Sequence, residues 1–356
     1  MTVTTREIHL AQRPSGLPGP ETYRFVERDL RDLNEGDVLV ENIVLSVDPY
    51  MRPRMNDVKS YVPPFRLDHA LDGGAIGVVV ESRSSTLPVG AVVRHQLGWR
   101  EHAVLADRHA QRIDLNGHPS SYFLGVLGMP GHTAYAGLFD VGCFKAGDSV
   151  FVSAAAGAVG SLVGQFARLA GAERVVGSVG SAEKAAHIVE NLKFDAALNY
   201  RESPIGEQLG AAFPDGFDVY FDNVGGDHLA AAIEHLSSFG HVALCGSISG
   251  YNETGAATMP GNMFKAVGKR LTLRGFIVSD HEHMRTEFET VVGQWLSDGD
   301  LAYRETVWEG LDAMPDAFAG LLTGSNTGKA VVRLREDPTN GTLAASTTGV
   351  RRQSDR

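Results

Sequence analysis

A hydrophobic strand running into Ala155-x-Gly157-x-x-Gly160, followed by Val159, Leu162, Val163, Phe166, Leu169 and Ala170 at helical spacing, is a pattern able to hold a dinucleotide. Gly157 lets the backbone approach a pyrophosphate and Gly160 lets the helix pack close to the strand. The helix N-terminus adds free amides and the positive end of its dipole. A bare strand-to-helix turn would need the same glycines, but the strand and helix units that follow favour the ligand. The end of the next strand, about 20 residues on, is where a carboxylate would hold the ribose of NAD. The sequence there is VVGSVGSAEK, with Gly180 and Ser181 in the corner and Lys184 in the first turn of the next helix. A cation without a facing carboxylate suits a 2′-phosphate, so the expected cofactor is NADPH. Glu183 suits the positive helix end, and an exposed helix lysine is the plain alternative for Lys184.

In an open α/β sheet the ligand lies beyond the carboxyl ends of the strands. The residues placed there are Asn199 and Tyr200, the stretch 223–226 (NVGG) and the stretch 245–252 (CGSISGYN). Their amides and hydroxyls suit ribose and nicotinamide, although Gly, Asn and Ser also populate turns for backbone reasons alone. Cys245 reads as a small buried apolar residue.

The elements that must position these groups read as a change of pattern along the chain. Up to about residue 123 the sequence consists of short β-branched segments, among them 38–44, 74–81 and 89–95, bounded by Gly, Pro or Asp. From residue 149 strands alternate with helices, the signature of a doubly wound parallel sheet. The expected strands are 149–155, 174–179, 196–200, 217–223, 240–246 and 271–278. A helical stretch ends near Asp298, and 328–334 looks β again. The polar stretch 337–356 has almost nothing to bury and is expected to be disordered. The division is therefore 1–124 mostly β, 125–308 for the nucleotide, 309–336 returning to the first domain, and 337–356 a tail.

Composition narrows the function further. The 356 residues carry 32 Lys plus Arg against 43 Asp plus Glu, a net charge of −11 without a basic run, which disfavours a nucleic-acid partner. Cys143 and Cys245 are the two cysteines, so neither a disulfide framework nor a four-thiolate zinc lobe fits. The start, MTVTTREIHL, is charged where a signal peptide is apolar, and no run of 18 apolar residues occurs. A cytoplasmic protein with no membrane contact is expected. The 41 glycines exceed the ~25 of average usage.

Seven motifs occur in order: LSVDPYMR (45–52), GMPGHTAY (128–135), VSAAAGAVGSLVGQ (152–165), FDNVGG (221–226), CGSISGYN (245–252), GFIVSD (275–280) and GSNTGKAVV (324–332). Together they resemble the zinc-independent medium-chain dehydrogenase/reductase branch of prostaglandin, curcumin and 2-alkenal reductases, over residues 45–334. The resemblance implies an α/β chain with a GroES-like, mostly-β catalytic domain made from both chain ends and a Rossmann domain between them. It implies an NADPH-dependent reductase of the C=C bond in α,β-unsaturated aldehydes and ketones, and a homodimer. Gly157, Ala158, Val159 and Gly160 would line the pyrophosphate, and Lys184 and Tyr200 would hold the 2′-phosphate. Asn223, Cys245, Gly246, Ser247, Ile248, Ser249, Tyr251, the strand Phe276, Ile277 and Val278, and Asn326 would contact adenosine and nicotinamide. Where zinc-dependent relatives carry G-H-E, this chain has Asp72-Gly73-Gly74, so no metal is expected. His281-Glu282-His283 reads as a solvated helix start rather than a ligand set, and His69 and His132 as structural.

Hydride delivery to the β-carbon of an enone leaves negative charge on the carbonyl oxygen, which a hydroxyl or amide must stabilise when no metal does. Tyr251 is the first candidate for that donor and for the later proton; Tyr50 and Tyr61 also border the expected substrate space. Each would otherwise be a packing tyrosine with a surface hydroxyl. Gly250 precedes Tyr251 where relatives often carry a bulkier residue, and the loop 252–262 beside it has the composition of a lid. Two rivals stand: an NADPH quinone oxidoreductase, and a non-catalytic NADPH-binding sensor.

Overall fold

The computed structural model describes residues 3–254 and 260–337; the expected tail beyond its first residue, Asp337, and the middle of the expected lid lie outside them. The chain forms two compact units, one running to Leu124 and resuming at Arg304, the other spanning Gly125–Tyr303. The second unit closes at Tyr303, ahead of residue 308, because Glu305–Glu309 pairs in parallel with Lys329–Arg333 inside the first.

The first unit is mostly β. Its seven-stranded sheet runs Glu305–Glu309, Lys329–Arg333, Asp37–Ser46, Ala75–Ser82, Val92–His95 and Gln111–Arg112 in spatial order, with His102–Ala106 also paired to Asp37–Ser46. Two further strands, Thr4–Leu10 and Tyr23–Asp29, pair antiparallel. The core between them gathers Ile8, Leu45, Met51, Trp99, Phe318 and Val332, residues from both chain ends. The returning C-terminal strand is thus inserted beside the long N-terminal one, Val331 facing Ser46 and Val332 facing Leu45.

The second unit is a six-stranded parallel sheet in spatial order Ala196–Asn199, Arg174–Val179, Ser149–Val152, Phe217–Asp222, Leu236–Leu244 and Thr272–Gly275. In chain order this is 3-2-1-4-5-6, the Rossmann arrangement, whose order reverses between the first and fourth strands. Central strands such as Ser149–Val152 are almost wholly buried, as a sheet covered on both faces requires. The helix Arg285–Asp298 begins earlier than the apolar pattern near Thr290 indicates. The last strand stops at Gly275; Phe276 and Ile277 leave it, and Val278 opens a 3₁₀ segment, Val278–Met284.

Candidate active site

The glycine turn sits at the point of reversal. After Val152 the chain bends at Ala154, whose φ of 51° is left-handed, and the Gly157 amide donates to the Ala154 carbonyl at 2.9 Å. Gly160 opens the helix Gly160–Leu169 directly against that bend: a Cβ there would lie 2.5 Å from the Ala154 oxygen. Only glycine permits this approach, and it places the amides of the first helical turn at the carboxyl end of the sheet.

The neighbouring strand ends are tied to the same floor. The Ser153 hydroxyl accepts from the Asn223 amide at 2.9 Å, and the Asn223 side chain donates to the Ser153 carbonyl at 2.8 Å. Buried Asp222 accepts from the Tyr220 hydroxyl at 2.7 Å and the Gly225 and Val224 amides at 2.8 and 3.0 Å. Its backbone carbonyl accepts from the Cys245 and Gly246 amides. Burial pushes the Asp222 carboxyl up, while those donors oppose the shift. The 245–251 loop is pinned in turn, with the Ile248 amide donating to Asn223 and the Ser249 hydroxyl to Val224 at 2.6 Å. Tyr251 follows the 3₁₀ turn Ile248–Gly250, and its phenol oxygen accepts a long 3.5 Å contact from the Ser247 amide. Cys245 is half-buried rather than fully so, and burial, then the Asp222 charge, pushes its thiol up to about 12, which favours the neutral thiol.

The corner beyond the second strand gathers cations. Ser181 caps the helix Ala182–Glu190 by accepting from the Lys184 amide at 3.2 Å. Gly180 lies under the Tyr200 hydroxyl, which would be 2.6 Å from any Cβ at that position. Burial and then the nearby Arg201 guanidinium hold the Lys184 ammonium below its usual range, against the pull of Glu183. Tyr200 meets the ring of His228 edge-on at 5.2 Å, and burial takes that imidazole down to about 4, so it packs as a neutral ring. Two like charges beside a phenol, with Gly180 and Ser181 where an NAD site would place a carboxylate, fit a 2′-phosphate. Arg201 escaped the sequence reading; its signal was a cation immediately after Tyr200 at a strand end.

At the other end of the sheet Phe276 packs edge-on against Phe221 and against the ring of His281, at 6.3 and 5.7 Å. His281 is not solvated: it is buried and its Nδ1 lies 3.1 Å from Asp140, while Glu282 pairs with Arg285. His132 is buried, stacks on Phe288 and reaches the His281 carbonyl. Among the described residues no group of three or more His, Cys, Asp or Glu could hold a metal ion.

The first unit holds Tyr50, Tyr61 and Asn326. Tyr50 begins the short helix Met51–Arg54 and packs against the core, whereas Tyr61 is exposed. Burial, then the charge of Asp48, pushes the Tyr50 phenol well above its ordinary value, so it is a hydrogen-bond donor at neutral pH. Asn326 is buried and its side-chain amide donates to the Gly328 carbonyl at 2.8 Å. The sequence candidates therefore divide into a nucleotide set on the second unit, with Tyr251, and a set of Tyr50, Tyr61 and Asn326 on the first.

Residues 6–113 match the family described as the N-terminal domain of oxidoreductase, and residues 158–297 match the family described as zinc-binding dehydrogenase. An NADPH-dependent curcumin reductase of Escherichia coli is 41% identical over 92% of this chain and 96% of its own. A 2-alkenal reductase (NADP(+)-dependent) of Nicotiana tabacum is 40% identical over 94% of this chain and 99% of its own. The crystal structure of CurA from Vibrio vulnificus in complex with NADPH superposes with a TM-score of 0.89 at 39% identity, covering 93% of this chain and 99% of CurA. With these matches and that of rat prostaglandin reductase 1, the chain belongs to the medium-chain dehydrogenase/reductase family, in its branch of curcumin, prostaglandin and 2-alkenal reductases.

Proposed function

We propose that this protein is an NADPH-dependent reductase of the carbon–carbon double bond of α,β-unsaturated aldehydes and ketones. The observation that carries the reading is the cationic corner of Lys184, Tyr200 and Arg201 at one end of a dinucleotide turn whose other flank presents Tyr251. The names of the relatives, a curcumin reductase and a 2-alkenal reductase, supply the acceptor class. Gly157, Ala158, Val159 and Gly160 hold the pyrophosphate on the helix N-terminus, and Asn223 with residues 245–249 lines the ribose and nicotinamide. Phe276, Ile277 and Val278 close the nicotinamide side, and Asn326 is a further cofactor contact implied by the resemblance.

When bound, NADPH supplies the hydride that reaches the β-carbon. The Tyr251 hydroxyl donates a hydrogen bond toward the carbonyl oxygen as charge develops there, and Tyr50 and Tyr61 border the acceptor. The α-carbon takes its proton from a tyrosine hydroxyl or water, which completes the addition of hydride and proton across the double bond. Oxidation of NADPH and of NADH, followed with a long-chain 2-alkenal and with a quinone, tests the assignment. Turnover of the alkenal with NADPH is expected. Preference for the quinone would replace this reading with the quinone rival, and tight NADPH binding without turnover would favour a sensor.

Cys143 and Cys245 are free thiols and no helix of the described residues is long and apolar enough to cross a membrane, which supports a cytoplasmic protein. The strand Thr272–Gly275 forms the outer edge of the parallel sheet, and Phe239, Phe264 and Val267 lie exposed on elements near it, which supports a homodimer through that edge. Light scattering on Val267→Asp with Phe264→Asp is expected to give half the wild-type mass; an unchanged mass would move the interface elsewhere.

A further inference from the structure

Lys329 is a lysine with 1% of its side chain exposed, in the first unit. It begins the strand Lys329–Arg333, and its Nζ donates to the Val47 carbonyl at 2.8 Å and to Asp48 Oδ1 at 2.9 Å. Asp48 is buried as well, with 6% of its side chain exposed, and its Oδ2 accepts from the Ser46 hydroxyl at 2.5 Å. The Asp48 carbonyl also receives the Met51 amide, so this residue opens the turn that carries Tyr50. On the partner strand the pair lies one residue beyond Gly328, whose carbonyl holds the Asn326 side chain. The contact joins positions 281 residues apart.

Burying an ion pair contributes little net stability, because desolvation of the two charges offsets their attraction. What such a pair does supply is a fixed geometry, since breaking it leaves an uncompensated charge in a dry interior. We propose that Lys329 and Asp48 are positioning residues for the reaction, latching the turn of Tyr50 to the strand that follows Asn326 so that the Tyr50 hydroxyl is held in one place beside the acceptor. This rests on the enone-reductase reading above. The two halves of the latch come from opposite chain ends, so the return of the C-terminal strand to the first unit completes the acceptor side instead of merely filling the core.

The test uses Lys329→Met with Asp48→Asn, which removes both charges at nearly constant volume and leaves Ser46 its partner. Folding is followed by thermal melting, and Asp48→Asn alone, which keeps the Lys329 donors, serves if the pair of changes prevents folding. A kcat for a 2-alkenal between about tenfold and a hundredfold below wild type is expected, the scale of a misplacement near 1 Å, with the NADPH dissociation constant unchanged. Tyr50→Phe should then cost less than about twofold more in the variant, while costing its full effect in wild type. A folded variant with wild-type kcat overturns the proposal, as does an equal Tyr50→Phe loss in both backgrounds. If the wild type reduces no enone, the functional reading fails first, and ¹⁹F spectra of fluorotyrosine-labelled protein decide the latch separately. The resonance assigned to Tyr50 should shift or broaden in the variant while that of Tyr251 stays; an unmoved Tyr50 line overturns the latch.

Discussion

Tyr251→Phe is expected to lower kcat on a 2-alkenal by about a hundredfold, near the lower end for removing one oxyanion donor, with NADPH affinity changed by less than about threefold. The split follows from where the residue sits. The contact of its phenol oxygen with the Ser247 amide, at 3.5 Å, is too long to hold the loop, which is pinned by Ile248 and Ser249 on the 223–224 turn. Losing the hydroxyl therefore leaves the nucleotide floor intact and removes a donor needed only when charge reaches the carbonyl oxygen. Equal losses in kcat and NADPH affinity would show that Tyr251 shapes the cofactor site instead. An unchanged kcat would pass the role of donor to Tyr50 or to a backbone amide. Steady-state kinetics at saturating NADPH separate the three outcomes.

The parts of this site that could be read from the sequence are those whose chemistry is local. Gly160 had to be glycine because a Cβ there would lie 2.5 Å from the Ala154 carbonyl oxygen, and that demand is written as spacing after an apolar strand. Lys184 could be placed because it falls within one turn of the helix cap at Ser181. The six parallel strands followed from alternation of pattern, with ends displaced where a strand runs on without a marker, as at Phe276. What could not be read depends on distant pairing. The strand Thr4–Leu10 carries charged and hydroxyl residues, and is a strand because Tyr23–Asp29 lies beside it. Asp222 falls within the expected strand 217–223 with no role of its own, yet its carboxyl and carbonyl tie together the residues at the ends of neighbouring strands. His281 reads as solvated from its charged neighbours, whereas it is buried, with its Nδ1 3.1 Å from Asp140 on another element. Lys329 and Asp48 stand in two of the quoted motifs, GSNTGKAVV and LSVDPYMR, but nothing local says that the lysine points into the core to meet the aspartate.

The second large effect concerns the choice of cofactor. Lys184→Met with Arg201→Met should reduce the preference for NADPH over NADH by about a hundredfold, taking roughly 1.5 kcal/mol for each charged hydrogen bond to phosphate. Either change alone should cost about tenfold. The coupling between the two cations makes the prediction sharper through pH. Because burial and Arg201 depress the Lys184 pKa, its ammonium is lost at a pH below the ordinary lysine range. NADPH affinity should therefore fall as pH rises through that depressed pKa, with NADH affinity flat over the same range. Arg201→Met removes one cause of the depression, so the fall should move to higher pH even though NADPH binds more weakly overall. Lys184→Arg should abolish the fall, since a guanidinium keeps its charge throughout. A fall that stays in place without Arg201 would mean that burial alone sets the Lys184 pKa. Undiminished NADPH preference in the double variant would place the 2′-phosphate away from this corner altogether. Isothermal titration with both nucleotides across pH reads all of these outcomes from one set of proteins.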